Sequence, residues 1–251
     1  MDSSSVGIGK TIALWLAILA VVAGGAWYVF SKQVAPLDFI ERSIQAQTKT
    51  YSVDALYPEF AGEVATAVNT ALANLLDATV KEFIAAAEEV PEPVRFGQPG
   101  LLTVRYGVTA STTQLVSVRF TISAMQAGTA HPNNYILGFT YDVIAGRSVR
   151  LKEVFRADVA PLPVIVEFVR PILAAQLKER GVVGWLDEGL ALREENYSRF
   201  IVSPEGILFF FNPYQIAPYA AGEFEVLVPW DKLREIIEPA LLPETWTAGP
   251  K

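Results

Sequence analysis

Few side chains in this sequence are suited to hydrolytic or transfer chemistry. Two pairs of adjacent carboxylates, Asp187 with Glu188 and Glu194 with Glu195, are the candidates for the acid and base of a glycan hydrolase, which places two carboxyls around the scissile bond. Sequence neighbours on a helix do not face each other, so both pairs suit a solvated surface better than a catalytic centre. The single histidine, His131, lies in Thr129-Ala130-His131-Pro132-Asn133-Asn134, where Pro and Asn mark a turn, and a solvated loop histidine is expected there. One histidine cannot build a multi-histidine metal site, and the absence of cysteine removes thiolate zinc sites, disulfides and cysteine nucleophiles. Val6-Gly7-Ile8-Gly9-Lys10 has residues of a phosphate loop but follows no strand and lacks the spacing. No nucleophile elbow, zincin helix or calcium loop is found either. The sequence therefore points to binding rather than catalysis, with no catalytic residue, metal or cofactor expected.

The unusual stretch runs from Phe200 to Gly222, dense in aromatic residues and interrupted by Pro213 and Pro218. Such a loop is stiff, and it offers Tyr214, Gln215 and Tyr219 as candidate binding residues, since a tyrosine carries both an apolar ring and a polar hydroxyl. The alternative is that these rings pack on a sheet and the prolines only set the turn.

The elements that would hold this loop are legible from periodicity. Val64, Val68, Leu72, Leu75, Leu76, Val80, Phe83 and Ile84 recur at helical spacing, predicting a helix over Gly62–Val90 that Pro91 and Pro93 terminate. Tyr51–Leu56 reads as extended, with Tyr57-Pro58-Glu59-Phe60 as a turn. Leu102 to Val108, Val116 to Ile122 and Tyr135 to Val143 alternate with period two, predicting an antiparallel sheet with one face covered and the other wet. Ala145-Gly146-Arg147 is a hairpin turn. A second helix is predicted over Leu162–Arg180, shorter ones over Trp185–Leu192 and Trp230–Ile237, and strands at Ser198–Ser203, Ile207–Phe211 and Glu223–Val228. The fold class is α+β, with antiparallel sheets each covered by helices.

The 251 residues are 51% hydrophobic and carry a formal charge of -7. That supports a sizeable core and gives no cationic footprint for nucleic acid, which is not expected as a partner. Residues 11–30 lack any charge and at about 1.5 Å per residue would span a bilayer core of roughly 30 Å as one transmembrane helix. Lys10 and Lys32 bracket it, and Trp27 and Tyr28 suit an interface. A cleaved signal peptide, with its apolar core at Ile12–Val22 followed by Ala23-Gly24-Gly25-Ala26, is the competing reading. The organisation expected is a short tail over 1–10, a single-pass anchor over 11–30, a stalk over 31–49 with a helical turn or two around Phe39, Ile40 and Ile44, α+β subdomains over 50–155 and 156–238, and a loose tail over 239–251.

Pro-Glu-Gly-Ile-Leu-Phe-Phe-Phe at 204–211, Tyr-Gln-Ile-Ala-Pro-Tyr-Ala-Ala-Gly at 214–222 and Val-Pro-Trp-Asp-Lys-Leu at 228–233 resemble the C-terminal signature of the RsiV-like extracytoplasmic domain family of anti-sigma factors. They are similar also to the non-catalytic domain of the peptidoglycan deacetylase PdaC. Tyr57-Pro58, Asn69 and Tyr141-Asp142 through Phe155 fit the same pattern, so the likeness covers about Thr50 to Ile237. It implies a domain of largely unknown function facing the cell envelope, outside the cytoplasm, with a lysozyme-type protein or peptidoglycan as candidate partner. The local charges alone, Lys10 against Lys32 and Arg42, lean slightly the other way. With ten residues before the apolar segment there is no room for a sigma-binding region, and no deacetylase module follows.

Overall fold

The computed structural model describes residues 36–95, 97–238, 240–243 and 246. The anchor expected over 11–30 lies outside them, and among the described residues no helix is long and apolar enough to cross a membrane.

Two sheets form the centre. The first has six strands in sequential order: β1 (Phe39–Gln47), β2 (Tyr51–Phe60), β3 (Gly100–Ser111), β4 (Leu115–Met125), β5 (Asn133–Asp142) and β6 (Arg147–Ser148). The second contains β7 (Phe200–Ser203), β8 (Gly206–Phe211) and β9 (Phe224–Pro229) in the order β7-β8-β9. The helices are α1 (Thr66–Glu89), α2 (Glu92–Arg95), α3 (Pro161–Glu179), α4 (Leu186–Gly189) and α5 (Trp230–Leu233).

The apolar stripe of α1 buries Val68, Leu72, Leu76, Val80, Phe83 and Ala87 against Leu102, Val104, Val116, Val118, Phe120 and Ile122 of the first sheet. In α3 the four-residue repeat Ile165, Val169, Leu173, Leu177 packs on Ile207, Phe209, Phe211, Phe224, Val226 and Val228 of the second. Each sheet thus carries a helix on one face. The remaining faces meet: Ile136 of β5 contacts Ile201 and Phe210 in a small buried cluster, giving the layer order helix, sheet, sheet, helix.

That order corrects the expectation of a wet face. Ser117 and Thr140 are buried because β7 lies over them, and their hydroxyls are 2.9 Å apart. Ser117 Oγ accepts the Val202 N–H at 3.0 Å, and Thr109 Oγ1 donates to the Val202 carbonyl at 3.1 Å. The outer edge of β7 is thereby satisfied by side chains of the other sheet. The approach is tight at Gly138, where an added Cβ would stand 2.0 Å from the Phe200 carbonyl oxygen.

Five further expectations are corrected. β2 and β3 pair in parallel, from Tyr51 beside Gly100 to Ala55 beside Val104, because α1 is the crossover between them and returns the chain to the same end; the first sheet is mixed. Phe39, Ile40 and Ile44, expected in helical turns of a stalk, belong to β1, which pairs antiparallel with β2 from Ser52 to Phe60. Pro58 is inside β2 rather than in a turn; beyond Ala55 only β1 flanks that strand, and a proline at such an edge forfeits no necessary donor. In the tail, Leu241 and Leu242 are buried, and Gln114 Nε2 donates to the Ala240 carbonyl at 3.1 Å. The last helix, α5, stops at Leu233, and Ile237 instead bridges to Phe155.

Candidate functional site

The loop between β8 and β9, both strands of the second sheet, reaches over to the first. Asn212, buried, accepts the Ile136 N–H through Oδ1 at 3.2 Å and donates through Nδ2 to the Ile136 carbonyl at 3.4 Å, so an amide side chain caps the open edge of β5. The loop then turns sharply: Gln215 N–H reaches the Asn212 carbonyl and Tyr214 N–H the Ala217 carbonyl, both at 3.0 Å. Ile216 and Ala217 are buried in the α3-side core.

The three candidate residues are brought into one loop but do different things. Gln215 faces inward. Its Nε2 donates to the carbonyls of Asn196 at 2.8 Å and Gly189 at 3.3 Å, while its own carbonyl receives the Trp185 indole N–H at 3.0 Å. A Cβ on Gly189 would lie 2.3 Å from that carbonyl oxygen, so this segment and the loop touch backbone to backbone. Tyr219 bridges the sheets: its hydroxyl donates to the Pro132 carbonyl at 2.5 Å, and its ring stacks on His131 with centroids 4.3 Å apart. The loop histidine is exposed yet stacked. Tyr214, 64% exposed, has its ring centroid 5.8 Å from that of Tyr219, completing a three-ring strip. Its backbone has φ 70°. It is the one non-glycine with positive φ among the described residues, in a region that a bulky side chain disfavours.

Beside the strip lies a cleft of about 430 Å³ lined by Thr121, Asn134, Pro213, Tyr219, Gly222 and Glu223. Its polar wall is the continuation of the β4 and β5 face that β7 covers further along: Ser117 is buried, Arg119 is held by both carboxylate oxygens of Glu225 and lies over the Phe210 ring at 4.9 Å, and Thr121 emerges exposed. Burial raises the Glu223 carboxyl above its ordinary value, with Arg119 opposing and Glu225 adding to the shift. Thr121, Asn134 and Glu223 were not singled out from sequence. They come from three separate segments, and no local pattern joins them.

The carboxylate pairs sit elsewhere. Asp187 is bound by Arg170 at 2.7 Å with its side chain 94% exposed, and Glu188, Glu194 and Glu195 are exposed, the last two opening a 3-10 turn at Glu194–Tyr197. Among the described residues no group of three or more His, Cys, Asp or Glu could hold a metal ion.

The whole of this loop, with α3 and the second sheet, falls in a stretch similar to a known family. Residues 152–231 match DUF3298, a family of proteins of unknown function. Crystal structures of DUF3298 members from Bacteroides fragilis and Pseudomonas aeruginosa share the fold, each with a TM-score of 0.57, at 16% and 14% identity, over 82% and 83% of this chain and 97% of theirs. The immunogenic proteins MPB64 of Mycobacterium bovis and MPT64 of Mycobacterium tuberculosis are 33% identical over 103 residues, 41% of this chain and 44% of theirs. The peptidoglycan-N-acetylmuramic acid deacetylase PdaC of Bacillus subtilis is 24% identical over 190 residues, 76% of this chain and 40% of it. The chain spans less than half the length of these curated relatives. Within the cleft, Pro213, Tyr219, Gly222 and Glu223 come from the DUF3298 region, whereas Thr121 and Asn134 come from the sheet before it.

Proposed function

We propose that this DUF3298 domain is a binding module of the cell envelope that takes cell-wall glycan at the Tyr214–Tyr219 cleft, held at the membrane by residues 11–30 with the domain outside the cytoplasm. The observation that carries this reading is Tyr214: an exposed aromatic ring kept on a backbone conformation that costs about 1–2 kcal/mol for a non-glycine. Stability alone would favour glycine or asparagine there, so the ring is retained for something it touches. A pyranose has an apolar C–H face and a polar rim, and the site pairs rings (Tyr214, Tyr219) with a hydroxyl, a carboxamide and a carboxylate (Thr121, Asn134, Glu223) in the proportion ligand clefts use. Similarity to a protein named for acting on peptidoglycan supports the same ligand class.

The test is co-sedimentation of the full-length protein in detergent with insoluble peptidoglycan. The wild type should pellet with the wall material, and Tyr214→Asn should stay largely in the supernatant. Equal partition of the two would contradict the assignment. A lysozyme-type protein, the partner the RsiV-like signature implies, belongs in a parallel calorimetric titration: saturable heat with lysozyme and none with wall fragments would replace the glycan by a protein ligand. Assay of muropeptide release by wild type and by amide variants of Asp187, Glu188, Glu194 and Glu195 tests the enzymatic alternative, and no release is expected from any of them.

A further inference from the structure

Among the described residues, the polar and aromatic groups lining the cleft attract positive charge and none supplies it. Glu223 is half-buried, and among the described residues no cation stands within ion-pair distance of it. Arg119 directs its terminal nitrogens to Glu225. Arg180, the other neighbouring guanidinium, donates to the backbone carbonyls of Ala221 at 2.6 Å and Glu223 at 2.8 Å and lies 3.9 Å over the Phe224 ring, so it serves the fold. The remaining lining offers the Tyr219 ring, whose face is electronegative, the Thr121 hydroxyl and the Asn134 carboxamide. Among the described residues no Lys, Arg or His lines the cleft.

We infer that the cleft recognises the free ammonium group of a de-N-acetylated amino sugar, with Glu223 as its counter-ion and the Tyr219 and Tyr214 rings against the sugar. The inference rests on the glycan-binding reading and narrows it. A carboxylate that burial pushes towards its neutral form regains its charge most readily when a cation is brought to it, whereas an N-acetyl group in the same place would leave it unpaired and add bulk.

Calorimetric titration of the full-length protein in detergent, at near-neutral pH, should compare the β-1,4-linked tetramer of glucosamine with that of N-acetylglucosamine. The amine form is expected to bind about tenfold more tightly, and Glu223→Gln, whose folding is checked by its cooperative thermal unfolding, should reduce that preference to about twofold or less. α-N-Acetyl-lysine amide, which offers an ammonium without a sugar, should not displace the amine tetramer. Equal binding of both tetramers by the wild type, or a preference that survives Glu223→Gln, would overturn the inference and leave glycan binding standing. Displacement by the lysine derivative would overturn the sugar assignment. Binding of neither tetramer would remove the glycan reading itself.

Discussion

At the scale of single residues, Tyr214 and Glu223 both cost the fold something. Tyr214 holds φ 70°, about 1–2 kcal/mol unfavourable, and its ring pair with Tyr219 returns roughly 0.5–1 kcal/mol. Tyr214→Asn, which tolerates this conformation, should therefore gain about 0.5 kcal/mol in urea denaturation while losing affinity for wall glycan. A loss of stability would mean that the ring is packing rather than recognition. The Glu223 carboxyl, raised by burial above its ordinary 4.5, keeps a proton in the folded protein that the unfolded chain has already released. Stability from this group accordingly falls as pH rises from that unfolded value through the folded one. Glu223→Gln should be more stable than wild type at neutral pH, and the gap should close below about pH 4, where both states of the wild type are protonated. Thermal midpoints at the two pH values measure this, and a gap that widens in acid would contradict the sign.

At the scale of elements, the decisive contact is that between the two sheets. Gly138→Ala would press a methyl into the Phe200 carbonyl at 2.0 Å; separating the sheets to admit it should cost about 3 kcal/mol or more. Gly107→Ala, on β3 with nothing within 4 Å of the added carbon, should be neutral or slightly stabilising. Paired urea titrations test the contrast, and similar losses in both would show that the inter-sheet contact is not the cause. These elements also mark what could be read beforehand. The stripe of α1 and the alternation of β3, β4 and β5 were legible because each depends on local spacing. Which face stays wet was not, for Ser117 and Thr121 are equivalent in the pattern and differ only in that β7, more than eighty residues later in the chain, covers one and leaves the other open. The parallel pairing of β2 with β3 was implicit in strand, helix, strand order, but Pro58 read as a turn and hid the end of β2. Of the site, Tyr214 and Tyr219 were legible from aromatic and proline density. The inward role of Gln215 was not, because its partners Gly189 and Asn196 meet it only in three dimensions.

At the scale of the whole molecule, the cleft exists because two sheets with separate helix-backed cores face each other and part at one end. The rings come from the loop of one sheet, and the polar wall and the His131 stack from the hairpin of the other. A tether at 11–30 would keep this opening near the wall, and trypsin added to intact spheroplasts should then digest the domain; protection until lysis would place it in the cytoplasm and exclude a wall ligand. The most direct measurement is calorimetric titration of the full-length protein in detergent with soluble peptidoglycan fragments, using wild type, Tyr214→Asn and Gly107→Ala. Saturable binding that Tyr214→Asn weakens at least about fivefold and Gly107→Ala leaves intact is the predicted result. No binding by the wild type, or equal binding by all three, would contradict it.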